Sequence, residues 1–328
     1  MDILIIGGTQ FVGRHLAEAA LAAGHKVTLF NRGKTGPGLY PQAEHLIGDR
    51  DGNLDALKGR KWDVAFDPSG YLPRVVRQSA ELLQDAVGRY VFISSISVYV
   101  DSNNADENAP LNLLDDPTSE DIPKHYGALK VACENVVTEL YGERGLNARP
   151  GFIVGQYDSS PRMPGLLWRY DREGERLAGL PDQPVQVIHA RDMADWLLKA
   201  VDSGYHGAYN MTGRPIIMQT LLDTVVEVIG KPTIITYTDD ELLKMHDIQP
   251  VDGVGYWVPT EARGFMNANV DKVFAAGFAE RPLKQTITET LSWLREDGLK
   301  REMLMERIKA RAISLEKEAE ILQAWHKR

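Results

Sequence analysis

The chain opens with a short apolar run, a glycine-rich turn and a helical pattern, followed by a second apolar run. The runs Asp2–Ile6 and Lys26–Phe30 are typical of buried parallel strands. Between them, apolar residues recur at helical spacing as far as Gly24, which can end a helix. The recurring residues are Val12, Leu16, Ala19 and Ala23. The pattern therefore predicts a βαβ unit, the building block of an open parallel sheet.

The turn Gly7–Gly13 stands where such a unit would bind a dinucleotide pyrophosphate, at the N-terminus of the helix. Gly7 suits the tight turn out of the strand, and Gly13 lets the helix pack close to the sheet. A glycine usually stands between them so that the backbone can approach the phosphates, but here that position is Gln10. The expected cofactor contacts in the turn are Gly7, Thr9, Gln10, Phe11, Val12 and Gly13.

Asn31 stands after the second predicted strand, where NAD-selective sites often carry an acidic residue. Arg32 and Lys34 follow, and an arginine can bind a 2′-phosphate through two parallel hydrogen bonds. We therefore expect Asn31 and Arg32 to contact the cofactor and NADP(H) to be preferred, with NAD possible. The alternative is that Arg32 and Lys34 are solvated loop cations.

Three further apolar runs predict strands that end in polar or small residues. They are Glu44–Gly48, Asp63–Phe66 and Tyr90–Ile93. Ligands bind outside the carboxyl ends of strands in open α/β sheets, so the residues after each run are candidate cofactor contacts. These candidates are Asp49, Arg50, Pro68, Ser69, Gly70 and Ser94.

Tyr126 and Lys130 are four residues apart in a predicted helix, which follows a long acidic loop between Asp101 and Pro123. Residues at this spacing share one helix face, and a lysine ammonium beside a tyrosine lowers the pKa of the phenol. The phenol could then exchange a proton with a substrate carbonyl or hydroxyl, while a serine from the neighbouring strand end holds the same oxygen. The alternative is a solvated helix face.

The composition is ordinary for a soluble globular chain, with 43% hydrophobic and 25% charged residues. A length of 328 residues predicts two lobes, and the net charge of −9 argues against a general nucleic-acid binder. The single cysteine, Cys133, excludes an internal disulfide and a cysteine-rich metal site, so we expect no metal. There is no apolar run of membrane-spanning length and no signal-peptide pattern, and we expect a cytoplasmic protein.

Taken in order, these motifs resemble the extended short-chain dehydrogenase/reductase superfamily, in its NAD-dependent epimerase/dehydratase branch. The resemblance covers nearly the whole chain. Its segments are Gly7–Gly13, Ser94–Tyr99, Tyr126 with Lys130, Arg149–Pro150 with Gly155, Val187–Ala194 and Gly207–Gly213. It implies a Rossmann-like doubly wound parallel sheet with a smaller C-terminal α/β substrate lobe. It also implies Ser95, Tyr126 and Lys130 as the catalytic residues. Tyr126 would be the acid/base, Lys130 would also bind the nicotinamide ribose, and Pro150 would join the cofactor contacts.

Within the superfamily the chain is also similar to the chloroplast stem-loop RNA-binding proteins, which share the fold and have been linked to RNA. Three positions depart from the nucleotide-sugar enzymes of the branch. Gln10 replaces the middle glycine, Phe152 stands in place of an asparagine, and Val185–Val187 replaces an Arg-Asp-aromatic run. The last two changes remove polar partners of a nucleotide-sugar and put that substrate class in doubt.

We expect a dinucleotide-binding domain formed by residues 1–150 and about 183–212, and a substrate lobe formed by residues 151–182 and 213–328. Two features of the second lobe remain open. The aromatic and arginine residues between Gly151 and Pro184 could line an anionic or sugar-like pocket, or pack on the sheet. The apolar stripe of the charged tail, Lys300–Arg328, could dock on its own lobe or on a second subunit.

The combined reading is an NAD(P)-dependent oxidoreductase or epimerase that transfers a hydride at a hydroxyl or ketone carbon of a sugar-like or other small substrate. Among the candidate reactions, dehydration is the least favoured, because Ile96 and Ser97 stand where dehydratases of the branch tend to have acidic residues. The expected assembly is a monomer or homodimer, without a membrane partner. The alternative is an RNA-binding or regulatory protein on a retained dinucleotide fold.

Overall fold

The computed structural model describes residues 1–36 and 38–327, which form two compact units. The first unit contains Met1–Phe152, Ala190–Gly213 and Ala268–Glu280. The second contains Ile153–His189, Arg214–Asn267 and residues 281–327.

The first unit is built on a seven-stranded sheet whose paired strands run parallel. Its strands are β1 (Asp2–Ile6), β2 (Lys26–Asn31), β3 (Glu44–Ile47), β4 (Trp62–Asp67), β5 (Val87–Ile93), β6 (Gly145–Pro150) and β11 (Gly207–Met211). They lie in the order β11-β6-β5-β4-β1-β2-β3, so the direction of winding reverses between β1 and β4. This is the doubly wound order of dinucleotide-binding folds, and the predicted fold class is confirmed.

Helices of the first unit pack on this sheet, four of them in two pairs. They are α1 (Phe11–Ala22), α2 (Pro73–Leu83), α3 (Ile122–Tyr141), α5 (Ala190–Asp202) and α8 (Asp271–Ala275). Helix α1 packs against α5, and α2 packs against α3. One core cluster joins the apolar faces of α2 and α3 to strands β4 and β5, and it includes the buried thiol Cys133. The strands are nearly continuous apolar runs because the core covers them.

The second unit consists of helices with short strand pairs. Its strands are β7 (Phe152–Val154, whose first residue belongs to the first unit), β8 (Gly174–Ala178), β9 (Pro184–Val185), β10 (Val187–His189), β12 (Ile216–Ile217) and β13 (Thr233–Tyr237). Its helices are α4 (Arg162–Tyr170), α6 (Met218–Ile229), α7 (Asp240–Met245), α9 (Leu283–Glu296), α10 (Glu302–Arg311) and α11 (Leu315–Trp325). Strand β13 pairs in parallel with β8, and β12 pairs antiparallel with β9.

The charged C-terminal tail docks on its own unit. Ile321 and Leu322 of α11 are buried in a cluster with Leu177 of β8 and Trp257. Glu318 accepts a hydrogen bond from the backbone N–H of Leu177 at 2.9 Å and forms a buried ion pair with Arg169. The second unit itself thus covers Leu304, Ile308 and Leu322 of the apolar stripe, while Leu315 is exposed.

Two residues of the segment before Pro184 pack inside the second unit. Arg169 and Tyr170 of α4 are fully buried, and the Arg169 guanidinium donates to Glu318 and to the carbonyl of Leu177. Trp168 and Arg162 of the same helix are half-buried. Among residues 1–36 and 38–327, no helix is both long enough and apolar enough to cross a membrane.

Candidate functional site

The glycine turn after β1 has the backbone geometry that its sequence predicts. Gly7 has a φ of 127°, a conformation that residues with a side chain rarely adopt. A Cβ atom at Gly13 would stand 2.6 Å from the backbone nitrogen of Gly8, so only glycine lets α1 begin this close to the turn. The turn and the first residues of the helix form a cradle of backbone N–H groups that suits an anion.

Gln10, the unusual residue of the turn, is the N-cap of α1. Its side-chain amide donates to the hydroxyl of Thr35 at 3.1 Å, in the loop after β2. The side chain therefore bridges two loops instead of capping the helix, which leaves the first-turn N–H groups to another acceptor. Thr9 precedes this residue, and Phe11 and Val12 follow it in the first turn of the helix.

The end of β2 is shaped by Asn31. Its side-chain carbonyl accepts a hydrogen bond from the backbone N–H of Gly33 at 2.8 Å and so closes a turn over Arg32. Arg32 and Lys34 are exposed. This placement suits a charged ligand group outside the sheet and equally suits two solvated cations.

Arg50 forms a two-pronged ion pair with Asp67, the last residue of β4. Its Nη1 and Nη2 atoms lie 2.5 and 2.7 Å from the two carboxylate oxygens. The same two nitrogens donate to the hydroxyls of Ser69 at 3.0 Å and Ser79 at 3.2 Å. Tyr90 completes the shell by donating to the fully buried carboxylate at 2.8 Å. Burial by itself raises the pKa of Asp67, and the adjacent Arg50 reverses this so that the pKa falls below its ordinary value.

The neighbouring residues at these strand ends are also held in place. Asp49 accepts a hydrogen bond from the backbone N–H of Asp51 at 3.1 Å, as in an ordinary polar turn. Ser69, which follows Pro68, donates from its hydroxyl to the carbonyl of Ile6 at 2.9 Å. This bond joins the end of β4 to the last residue of β1, immediately before the glycine turn.

Lys130 is a buried cation in the middle of α3. Its ammonium donates to the carbonyls of Gly70 at 2.7 Å and Ile93 at 2.8 Å. It also lies 4.6 Å from the ring centre of Phe92 and 5.0 Å from that of Tyr71. Burial lowers the pKa of Lys130 to about 8, and the two carbonyls use two of its three N–H donors.

Tyr126 lies one turn before Lys130 and is half-buried, with its ring centre 6.4 Å from that of Tyr71. The next residue, Gly127, fixes this part of the helix against the serine segment. A Cβ atom at Gly127 would stand only 2.0 Å from the carbonyl oxygen of Ser97. The helix turn that carries Tyr126 is therefore in direct contact with the segment that carries Ser95.

Ser95 begins a short 3-10 helix, Ile96–Val98, and its hydroxyl accepts a hydrogen bond from the backbone N–H of Ser97 at 3.1 Å. Ser94 is buried, and its backbone N–H donates to Ala148 of β6. Pro150, the last residue of β6, is buried beside β11.

Asn112 and a buried ion pair hold the long acidic loop near these residues. The Asn112 amide donates to the carbonyls of Ser97 at 3.2 Å and Tyr99 at 2.7 Å. Arg149 pairs with Glu134 at 2.7 Å in the core and donates to the Tyr99 hydroxyl at 2.8 Å. The part of the Asp101–Pro123 loop that contains Asn112 is thus hydrogen-bonded to the segment that follows Ser95.

Two protein relatives and one solved structure show what the chain is similar to. It is 28% identical over 242 residues to the chloroplast stem-loop binding protein of 41 kDa b from Arabidopsis thaliana. That match covers 66% of this chain and 59%, less than two thirds, of the relative. It is 26% identical over 250 residues to N-acetyl-α-D-glucosaminyl-diphospho-ditrans,octacis-undecaprenol 4-epimerase from Escherichia coli O157:H7, covering 69% of this chain and 71% of the enzyme. No family model matches the chain.

The structure is similar to that of the Bordetella bronchiseptica enzyme WbmH in complex with NAD⁺. The TM-score is 0.68 at 19% sequence identity, over 90% of this chain and 99% of that one. The fold is that of an extended short-chain dehydrogenase/reductase. The resemblance in the sequence is confirmed at this level, including the similarity to the chloroplast stem-loop binding proteins.

Within this extended short-chain dehydrogenase/reductase fold, sequence reasoning missed three residues that organise the site. Asp67 holds Arg50, Gly127 sets the contact between α3 and the serine segment, and Asn112 secures that segment. A signal was present for Asp67 alone, because a carboxylate directly after the apolar run Val64–Phe66 needs a partner if it is buried. The other two depend on tertiary contacts between distant segments.

Proposed function

We propose that the chain is an NAD(P)-dependent oxidoreductase or epimerase acting on a hydroxyl or ketone carbon of a sugar-like or other small molecule. The observation that carries the proposal is the environment of Lys130. Its ammonium is fixed by two backbone carbonyls, and its third N–H remains for a further acceptor. It lies on the same helix as Tyr126, whose turn contacts the serine segment.

The residues at the strand ends fit a dinucleotide. The glycine turn would receive the pyrophosphate, since side chains at Gly7 or Gly13 would disturb the cradle. Ser94, Pro150 and the Pro68–Gly70 turn would line the rest of the cofactor, and Asp49 the adenine end. The NAD⁺ complex of the structural relative favours NAD, whereas the exposed Arg32 and Lys34 would suit the 2′-phosphate of NADP.

The bound nicotinamide would accept or return the hydride. Tyr126 would take the hydroxyl proton as the carbon is oxidised, or supply it in the reverse direction. The Lys130 ammonium would favour the phenolate form of Tyr126 and bind the ribose next to the nicotinamide. Ser95 would hold the reacting oxygen through a hydrogen bond.

The first test is a titration of the protein with NAD⁺, NADH, NADP⁺ and NADPH, followed by tryptophan quenching and thermal shift. Selective binding of one pair is the expected result. Arg32→Ala should weaken NADP(H) binding and leave NAD(H) binding unchanged, because only the former carries the 2′-phosphate. Failure of all four to bind would refute the proposal.

The second test is Tyr126→Phe. We expect turnover to fall by at least about 10²-fold while cofactor affinity stays within about twofold, since only the proton-transfer group is lost. Reduction is followed by nicotinamide absorbance. Epimerisation returns the hydride and is followed by NMR of the product instead. Retained turnover would remove Tyr126 from its role.

The second candidate function is RNA binding, which the similarity to the chloroplast stem-loop binding protein favours. The net charge of −9 argues against broad phosphate contact. Binding of a structured RNA at physiological salt, unaffected by Tyr126→Phe, would support this candidate.

A further inference from the structure

The Arg50–Asp67 pair lies at the centre of a connected set of hydrogen bonds that ends at Lys130. Asp67 accepts a bond from the backbone N–H of Ser69 at 3.1 Å, and Arg50 donates to the Ser69 hydroxyl at 3.0 Å. Ser69 is therefore fixed at both its backbone and its side chain. The next residue, Gly70, presents the carbonyl that holds the Lys130 ammonium at 2.7 Å.

The arginine is committed to protein acceptors. Its two terminal nitrogens meet Asp67, Ser69 and Ser79, which accounts for four of the five N–H donors of the guanidinium. Its side chain is 13% exposed and that of Asp67 is 0% exposed. A guanidinium whose donors are already used in this way is better suited to holding the Pro68–Gly70 turn in place than to binding a ligand itself.

Packing and a further hydrogen bond also restrain the backbone of the Pro68–Gly70 turn. A Cβ atom at Gly70 would stand 2.6 Å from both the Phe92 ring and the Val76 side chain, so its backbone lies directly on the core. The Ser69 hydroxyl is tied to Ile6 of β1. The position of the Gly70 carbonyl is thus set by the core on one side and by Arg50 and Asp67 on the other.

We propose that the Arg50–Asp67 ion pair is a positioning device for Lys130: it fixes Ser69, and through Ser69 the Gly70 carbonyl that aims the ammonium at the ligand. This inference rests on the proposed function for the identity of the ligand, the ribose next to the nicotinamide. It gives Arg50 a different task from the direct cofactor contact expected from the sequence.

The test observes the Lys130 ammonium directly, by NMR of protein labelled with ¹⁵N at the lysine side-chain nitrogens. Lys130→Met identifies its signal by loss. A single substitution in the pair would leave one buried charge unpaired, so the test variant is Arg50→Met combined with Asp67→Asn. We expect the Lys130 signal to shift and its exchange with water to accelerate by about tenfold, as on loss of one hydrogen bond.

Two control variants separate positioning from stability. Ser79→Ala removes one bond of Arg50 and keeps the pair, so the Lys130 signal should not move. Leu57→Ala creates a cavity at a buried core position and lowers the melting temperature without touching the turn. An unchanged Lys130 signal in the double variant, with a melting temperature lowered as in Leu57→Ala, would show a purely stabilising pair and overturn the inference.

A calorimetric comparison of NAD⁺ with ADP extends the test to the ligand. The double variant should lose about tenfold in affinity for NAD⁺ and little for ADP, because ADP lacks the ribose next to the nicotinamide. Equal losses for both would mean that Arg50 serves the adenosine half directly, against the inference. If the wild-type protein binds neither, the proposed function fails, while the NMR result still decides whether the pair positions Lys130.

Discussion

At the scale of the residue, Lys130 combines burial with a positive charge that two main-chain carbonyls hold at 2.7 and 2.8 Å. Burial lowers its pKa from 10.5 to about 8. The unfolded chain therefore binds this proton more tightly than the folded one between those two pH values. Below pH 8 the cost of burying the charge is complete, and it fades as the pH rises toward 10.5.

The pH dependence of Lys130→Met should reveal this cost. Relative to the variant, the free energy of unfolding of the wild type should rise by about 3 kcal/mol between pH 8 and 10.5, since each pKa unit corresponds to ~1.4 kcal/mol. Chemical denaturation at several pH values measures the difference, and other titrating groups cancel. A difference that stays flat across this range would contradict the assignment of the lowered pKa.

At this scale, the sequence predicts the features that depend only on residues close to one another along the chain. The turn at Gly7, the helix start at Gly13 and the spacing of Tyr126 and Lys130 are properties of short segments, and the structure shows the local geometry expected for each. The partner of Arg50 could not be found in this way. Asp67 lies 17 positions further on, and only the pairing of the strands brings the two together.

At the scale of the element, helix α3 is held against the serine segment by a glycine. Gly127→Ala would place a methyl group 2.0 Å from the Ser97 carbonyl oxygen, and neither backbone can move easily. We expect a loss of about 1–3 kcal/mol in the free energy of unfolding, as for other overpacked sites. Denaturant titration measures it.

Gly165 in α4 is the matched control, because a Cβ atom there would meet Ile308 and Ala312 at an ordinary 3.9 Å. Gly165→Ala should leave stability unchanged or raise it by up to about 1 kcal/mol, since alanine favours the helix. Equal behaviour of the two variants would show that the contact at Gly127 is looser than the structure has it.

The elements themselves were largely predictable, because most strands of the first unit contain a short apolar run and its helices are amphipathic. β1 begins and ends where predicted, and β5 begins three residues earlier, at Val87. The segment around Trp257 is rich in glycine and aromatic residues, and Val254 to Val258 are buried in the second unit. Glycine and aromatic content alone does not separate a mobile loop from a packed one.

At the scale of the whole molecule, the C-terminal tail completes the core of the second unit. Glu318→Gln would leave the buried Arg169 without its countercharge, at a cost of about 3–5 kcal/mol. Glu320→Gln, on the exposed side of the same helix, should change the free energy of unfolding by less than about 0.5 kcal/mol. Thermal and denaturant unfolding of both variants measures the contrast.

Truncation at Gly298 removes α10 and α11 together and should destabilise the second unit more than either point variant. A truncated chain that folds, keeps full cofactor binding and has an unchanged oligomeric state would eliminate any structural role for the tail. The sequence left the partner of the tail open because an amphipathic stripe does not identify the surface that covers it.

The buried network around Arg149 has a consequence for how such chains can diverge. Arg149 pairs with Glu134 and donates to the Tyr99 hydroxyl, which donates to Asn210. The backbone N–H of Asn210 in turn donates to the Glu107 carboxylate. A change at one member removes a hydrogen-bond partner from a neighbour, and Arg149, Glu134, Tyr99 and Asn210 are all buried. Descendants of this sequence should therefore exchange these five residues in compatible sets, and covariation is the trace that we expect the network to leave.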